Sequence, residues 1–250
     1  MPRQVKRIKP LIYVFYEGES EQQYIDYLKS CFSDVAVIKR CSKRASTNLF
    51  ADTKSRFEKD KKYRDVAEAT DEIWFFFDVE SKDRADEIWS ERLKTINYLR
   101  KLRKKPNIRV RLLMTSGCVE YWFMLHFKDC APPTQTDADK KKLVEDVKKI
   151  IPTYKKGDKD SIWKIAPNYP TAIKYAQKRL QSIKEIPCIE DTDERNHWLC
   201  KNCLTFQLYL KHLIFWKVLT LWSKDCSLSG EFYCKMIIFL CLFFGHQGYE

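Results

Sequence analysis

Four acidic residues stand where chemistry could be done. Glu17 ends the apolar run Leu11–Tyr16, and Asp78 and Glu80 follow the run Ile73-Trp-Phe-Phe-Phe77. Apolar runs without alternation are what strands buried on both faces require. Period-2 geometry turns Asp78 and Glu80 to one side of the chain, with Val79 turned the other way. Open α/β sheets hold their sites at the carboxyl ends of strands. A carboxylate buried there is costly unless a cation or a donor meets it. Oxygen donors from two strands suit Mg²⁺ or Mn²⁺, with water and substrate phosphate completing the shell. Glu17, Asp78 and Glu80 are therefore the expected metal ligands. The fourth acid, Glu120, lies in the first turn of an aromatic helix, where it is either a helix-dipole acid or a further member of the site. His126 lies six residues on, roughly on the opposite face, and reads as a hydrogen-bonded core histidine.

These residues need a sheet to hold them. After Glu17-Gly18 a helix is expected, with Ser20 as N-cap, Gln23 completing a capping box, and Tyr24 and Leu28 on one face. Residues 35–38 read as an edge strand because Lys39 and Arg40 follow at once. Ser46-Thr47 should cap a short helix that turns Leu49, Phe50 and Phe57 inward and Lys54, Arg56, Lys59, Lys61 and Lys62 outward. Residues 81–105 form the longest helical pattern, with Ile88, Leu93, Ile96, Leu99 and Leu102 as its inward stripe and Pro106 as its stop. A strand at 108–114, with Arg109 and Arg111 on one face, leads to the aromatic helix at 118–127. Helices follow at 138–151 and 171–185. Strands alternating with helices predict an α/β fold with a mostly parallel sheet.

The stretch Glu17-Gly-Glu-Ser-Glu-Gln-Gln-Tyr24, followed by Asp78-x-Glu80, resembles the TOPRIM fold of primases, topoisomerases and OLD-type nucleases. With Ser116-Gly-Cys-Val-Glu-Tyr-Trp-Phe-Met-Leu-His-Phe127 added, it is similar more narrowly to the RloB-like proteins, a TOPRIM-related bacterial group tied to restriction–modification and abortive-infection loci. The resemblance runs over roughly residues 11–180. Glu80 stands where Asp is usual, and Gly117 and Val119 stand where Asn and Phe are expected. The resemblance implies a TOPRIM-like, Rossmann-like sheet flanked by helices, with a helical C-terminal part. It also implies Mg²⁺-dependent cleavage of nucleic-acid phosphodiesters in anti-phage defence, with Glu17, Asp78, Glu80 and Glu120 as catalytic residues. Glu17 would be an ion ligand or a general acid–base, roles that spacing does not separate. Two other readings stay open. One is a non-catalytic nucleotide- or RNA-binding sensor or subunit of a defence complex, and the other is a plain interaction protein whose acids cap helices.

Composition bounds the partners. Forty-six basic against 34 acidic residues give a net charge of +12, which favours a polyanion such as DNA or RNA. A defence-complex protein and a second copy of the chain are further expected partners. No apolar run approaches the ~18 residues that span a bilayer, so no membrane is expected. Residues 1–9 are basic and lead directly into a strand without an export signal. The ten cysteines are then expected reduced, in the cytoplasm. The chain divides into a core at 1–130, a helical extension at 131–187 and a cysteine- and aromatic-rich tail at 188–250. That tail reads as out-of-frame text or as an added helical hairpin. Cys188, His197, Cys200 and Cys203 have the side-chain types of a zinc site, but no second ligand pair is well placed, so zinc is not expected.

Overall fold

The computed structural model describes residues 9–44, 47–134, 136–182 and 192–202. Four parallel strands, β1 (Leu11–Tyr16), β2 (Val37–Ser42), β3 (Glu72–Val79) and β4 (Arg109–Ser116), form a sheet in the order β2-β1-β3-β4. Parallel neighbours need crossovers, and the helices supply them. These are α1 (Glu19–Cys31), α2 (Leu49–Lys59), α3 (Lys61–Arg64), α4 (Asp86–Arg100) and α5 (Glu120–Leu125), followed by α6 (Asp137–Ile150), α7 (Lys159–Ile165), α8 (Tyr169–Gln181) and α9 (Asp193–Asn202). The α/β class is the one expected, and the sheet expected to be mostly parallel is parallel throughout, consistent with a Rossmann- or TOPRIM-like arrangement.

Strand alternation sets what each face meets. Odd-numbered positions turn toward α2: Phe50 stacks on Phe75 with ring centroids 4.2 Å apart and meets Phe77 edge-on, while Phe57 packs on Tyr13 and Phe15. Even-numbered positions turn toward α1 and α5: Tyr24 packs edge-on against Phe76 and Trp122. Phe75, Phe76, Trp74 and Trp122 are fully buried. Truncating one such ring to alanine costs about 3–5 kcal/mol. Leu143, Val147, Ile162, Ile165, Ala172, Ile173 and Ala176, from α6 to α8, belong to the same apolar core.

Several local expectations shift. The N-cap of α1 is Gly18 rather than Ser20, and the Ser20 hydroxyl instead accepts the Gly157 N–H at 2.9 Å. The α2 cap is Asn48, whose Oδ1 accepts from Phe50 and Ala51, while Thr47 donates to the Arg44 carbonyl. Ser46 lies outside the described residues. β2 is an edge strand but runs on through Lys39 and Arg40, since an edge leaves its charged side chains in water. The pattern at 81–105 divides into a 3-10 turn, Ser81–Arg84, and α4. Trp89 and Arg92 face inward there, while Ile88 is exposed. Arg92 is neutralised by Asp83, which is why a guanidinium can sit inside. Arg111 is likewise buried against Glu72, at 2.7 and 3.1 Å.

Helix α9 holds the far end of the described chain against this frame. Asp193 accepts two bonds from Arg100, at 2.7 and 2.8 Å, and His197 contacts Asp86 at 2.9 Å. Cys200 is buried, its thiol directed at the Asp83 carbonyl. His197 and Cys200 are thus each engaged with separate partners. Cys188 and Cys203, the other two candidate zinc ligands, lie outside the described residues, as do residues 203–250.

Candidate active site: a buried carboxylate cluster

Asp78 occupies an even position near the carboxyl end of β3, so its side chain turns toward α1 and α5. Its register partner on β4, Thr115, donates its hydroxyl to the Asp78 carboxylate. Two further acids come to the same place. Glu120 opens α5 and is fully buried. Glu21 is the third residue of α1 and is buried, its carboxylate folded back over Gly18. The Glu21 carboxylate takes up the space that a side chain at position 18 would need.

Burial and mutual repulsion act on these carboxyls together. Burial, and then the charge of Asp78, push the Glu21 carboxyl up to about 8, with Glu120 adding to the rise. Burial likewise pushes Asp78 up to about 6, against the Thr115 hydrogen bond and with help from Glu120 and Glu17. Acids crowded out of water resist ionising together. The Cys118 thiol beside them is raised by burial and by the charges of Glu120 and Asp78.

One cation answers the cluster. Lys156 Nζ lies 3.9 Å from Glu120 Oε2, and the charges of Glu120 and Asp78 raise its pKa although partial burial works against this. The loop carrying it is anchored at both flanks. Tyr154 donates to Glu120 Oε1 at 2.8 Å, and burial and Glu120 keep that phenol protonated. Gly157, at φ +76°, passes against α1 with no room for a Cβ, which would fall 2.7 Å from Glu19 Oε2. Glu120 Oε2 is buried without a hydrogen-bond partner.

The other expected site residues stand apart from this center or at its edge. Glu17 is exposed at the rim, 3.6 Å from Lys43, and its charge is still felt at Asp78. Glu80 lies past the end of β3, paired with Lys82 at 3.1 Å and Lys140 at 3.5 Å, and those lysines hold its carboxyl below the usual range. His126 is a core group, as expected. Its Nδ1 faces the Trp122 carbonyl, which can only accept, so Nδ1 carries the proton and Nε2 accepts from Tyr24. Burial lowers its pKa to about 3.

Among the described residues, no three acidic, histidine or cysteine side chains are already gathered as a coordination shell. The donor chemistry nevertheless fits a hard divalent cation: Glu21, Asp78 and Glu120 are oxygen donors, and one buried oxygen is unsatisfied. Sequence reasoning missed Glu21, Tyr154 and Lys156. The signal for Glu21 was present: with Gly18 as N-cap it occupies the third helical position, from which an acid reaches back toward the cap.

No curated protein and no solved structure gives a significant match to this chain. A family model described as RloB-like protein matches residues 12–201, about three quarters of the chain. That span contains every residue of the carboxylate cluster and continues past residue 187 through most of α9. The chain therefore belongs to the RloB-like protein family.

Proposed function

We propose that the protein is a Mg²⁺- or Mn²⁺-dependent phosphodiesterase acting on nucleic acid in bacterial anti-phage defence. The observation that carries this reading is the Glu21–Asp78–Glu120 cluster, its two glutamates buried and Asp78 half-buried, with the Lys156 ammonium facing it in a chain of net charge +12. Asp78, Glu120 and Glu21 would hold the ion, with Glu17 at the rim. When bound, the ion would polarise a phosphoryl oxygen and acidify a bound water. Thr115 and Tyr154 fix the carboxylates by donating to Asp78 and Glu120. Lys156 offsets the cluster's charge and is placed to meet a phosphate oxygen. Glu17, paired with Lys43 in the open, is placed for proton exchange with solvent. The defence setting follows from the resemblance to the RloB-like group, an associational warrant. No described helix is long and apolar enough to cross a membrane.

One observation favours a second reading, a non-catalytic nucleic-acid sensor: Lys156 already serves as counter-ion to Glu120. Incubation with end-labelled DNA and RNA in Mg²⁺, Mn²⁺ or EDTA separates the two. Metal-dependent cleavage that is lost in Asp78→Asn supports the enzyme. Binding without cleavage, unchanged by that substitution, supports the sensor.

A further inference from the structure

A cavity of about 240 Å³ opens where β3 leaves the sheet, lined by Glu80, Lys82, Arg84, Thr134, Asp137 and Lys140. Three cations share it with two carboxylates. Lys82 and Lys140 are committed to Glu80, and Lys140 also reaches Asp137 at 4.0 Å. Arg84 makes no ion pair among the described residues, and its Nε is buried without a hydrogen-bond partner. The backbone that carries it is fixed: Asp83, its neighbour in the 3-10 turn, accepts the Glu80 N–H at 2.8 Å and is held by Arg92. The opposite wall is fixed too. Gly117, at φ +71°, leaves only 2.6 Å between a would-be Cβ and the Thr134 carbonyl oxygen, so the Thr134 segment lies directly on the end of β4.

An uncommitted guanidinium on a rigid turn, with two lysines beside it, matches the fork geometry and charge of a phosphate. We propose that this cavity is a phosphate subsite, in which Arg84 binds a backbone phosphate of a nucleic-acid strand whose neighbouring phosphodiester lies over Asp78. The spacing suits one strand serving both places. Asp78 and Glu80 are two extended residues apart, about 7 Å along the chain. The subsite takes its ligand class from the function proposed above, but it does not require cleavage.

The test is fluorescence anisotropy with a fluorescein-labelled single-stranded RNA 12-mer and the DNA of the same sequence. EDTA is present throughout, and NaCl is varied. Arg84→Ala should weaken binding about tenfold and reduce the slope of log affinity against log salt by about 0.7, the share of one single-strand phosphate contact. Arg84→Lys should recover part of both. Lys29→Ala, at the opposite end of α1, removes the same charge and should leave affinity within about twofold. Because Arg84 makes no ion pair among the described residues, Arg84→Ala should unfold at the same denaturant concentration as the wild type. Unchanged affinity and slope in Arg84→Ala would overturn the proposal, as would no binding of either strand by the wild type. ATP displacement that depends on Arg84 while strand affinity does not would also overturn it, reassigning the cavity to a free nucleotide. Arg84-dependent binding without metal-dependent cleavage would keep the subsite and sink only the nuclease.

Discussion

Replacing Glu21 with glutamine should make the metal-free protein more stable. Glu21 is 4% exposed, and its carboxyl is raised from 4.5 to about 8 by burial and by Asp78. Between those two values the folded state holds a proton that the unfolded chain has released, so stability falls as pH rises through this window. At about 1.4 kcal/mol per pH unit, the full rise corresponds to roughly 5 kcal/mol. Part of that belongs jointly to Asp78 and Glu120, so about 2–3 kcal/mol is the share Glu21 alone should return. Glutamine keeps the shape of the protonated acid and removes the charge. Urea unfolding in EDTA at pH 5 and pH 8 measures the difference, and the low-pH effect of His126 is common to both proteins and cancels. Glu21→Gln should exceed the wild type by about 2–3 kcal/mol at pH 8, with most of that advantage gone at pH 5. Equal stability at pH 8, or an advantage that does not depend on pH, would refute the reasoning, because Glu21 would then not be crowded by other carboxylates.

Mg²⁺ at a hundredfold excess over its dissociation constant should raise the unfolding free energy of the wild type by about 2.7 kcal/mol. Thermal melts with and without EDTA should show that gain in the wild type and not in Asp78→Asn. His126, lowered from 6.5 to about 3, has the opposite sign to Glu21. Its contribution is complete above pH 6.5 and is lost as pH falls toward 3, about 2 kcal/mol between pH 6.5 and pH 5. Because Glu21 and Asp78 gain stability over the same interval, the readout is the difference between proteins: urea unfolding should show the wild type losing about 2 kcal/mol relative to His126→Gln between pH 6.5 and pH 5. Gly117→Ala forces a side chain into the left-handed region and against the Thr134 carbonyl, and urea titration should show a loss of at least about 1–3 kcal/mol.

The frame of the protein was legible because buried strands announce themselves. The runs ending at Tyr16 and Phe77 have no charge to expose, and their odd and even residues later meet different helices. Asp78 was legible for the same reason: the first charge after such a run falls at the sheet's carboxyl end. Glu80 was expected beside it from the same alternation, but just past the end of β3 its carboxylate pairs with Lys82, in the 3-10 turn that follows, and with Lys140. Glu21 was hidden by the choice of Ser20 as cap, which moved the helix start by two residues and took Glu21 out of the third helical position. Tyr154 and Lys156 lie in a polar stretch with no period, and a contact across 34 residues, from Tyr154 to Glu120, leaves no trace in local pattern. Arg84 was lost inside a helical pattern that divides into a 3-10 turn and α4.

The central claim is that Asp78, Glu120 and Glu21 share one divalent cation. Isothermal titration of the metal-free protein with Mn²⁺ tests it most directly. The account predicts one saturable ion per chain, with its heat abolished by Asp78→Asn and retained in Arg84→Ala. No saturable binding, or binding that Asp78→Asn leaves intact, would contradict it.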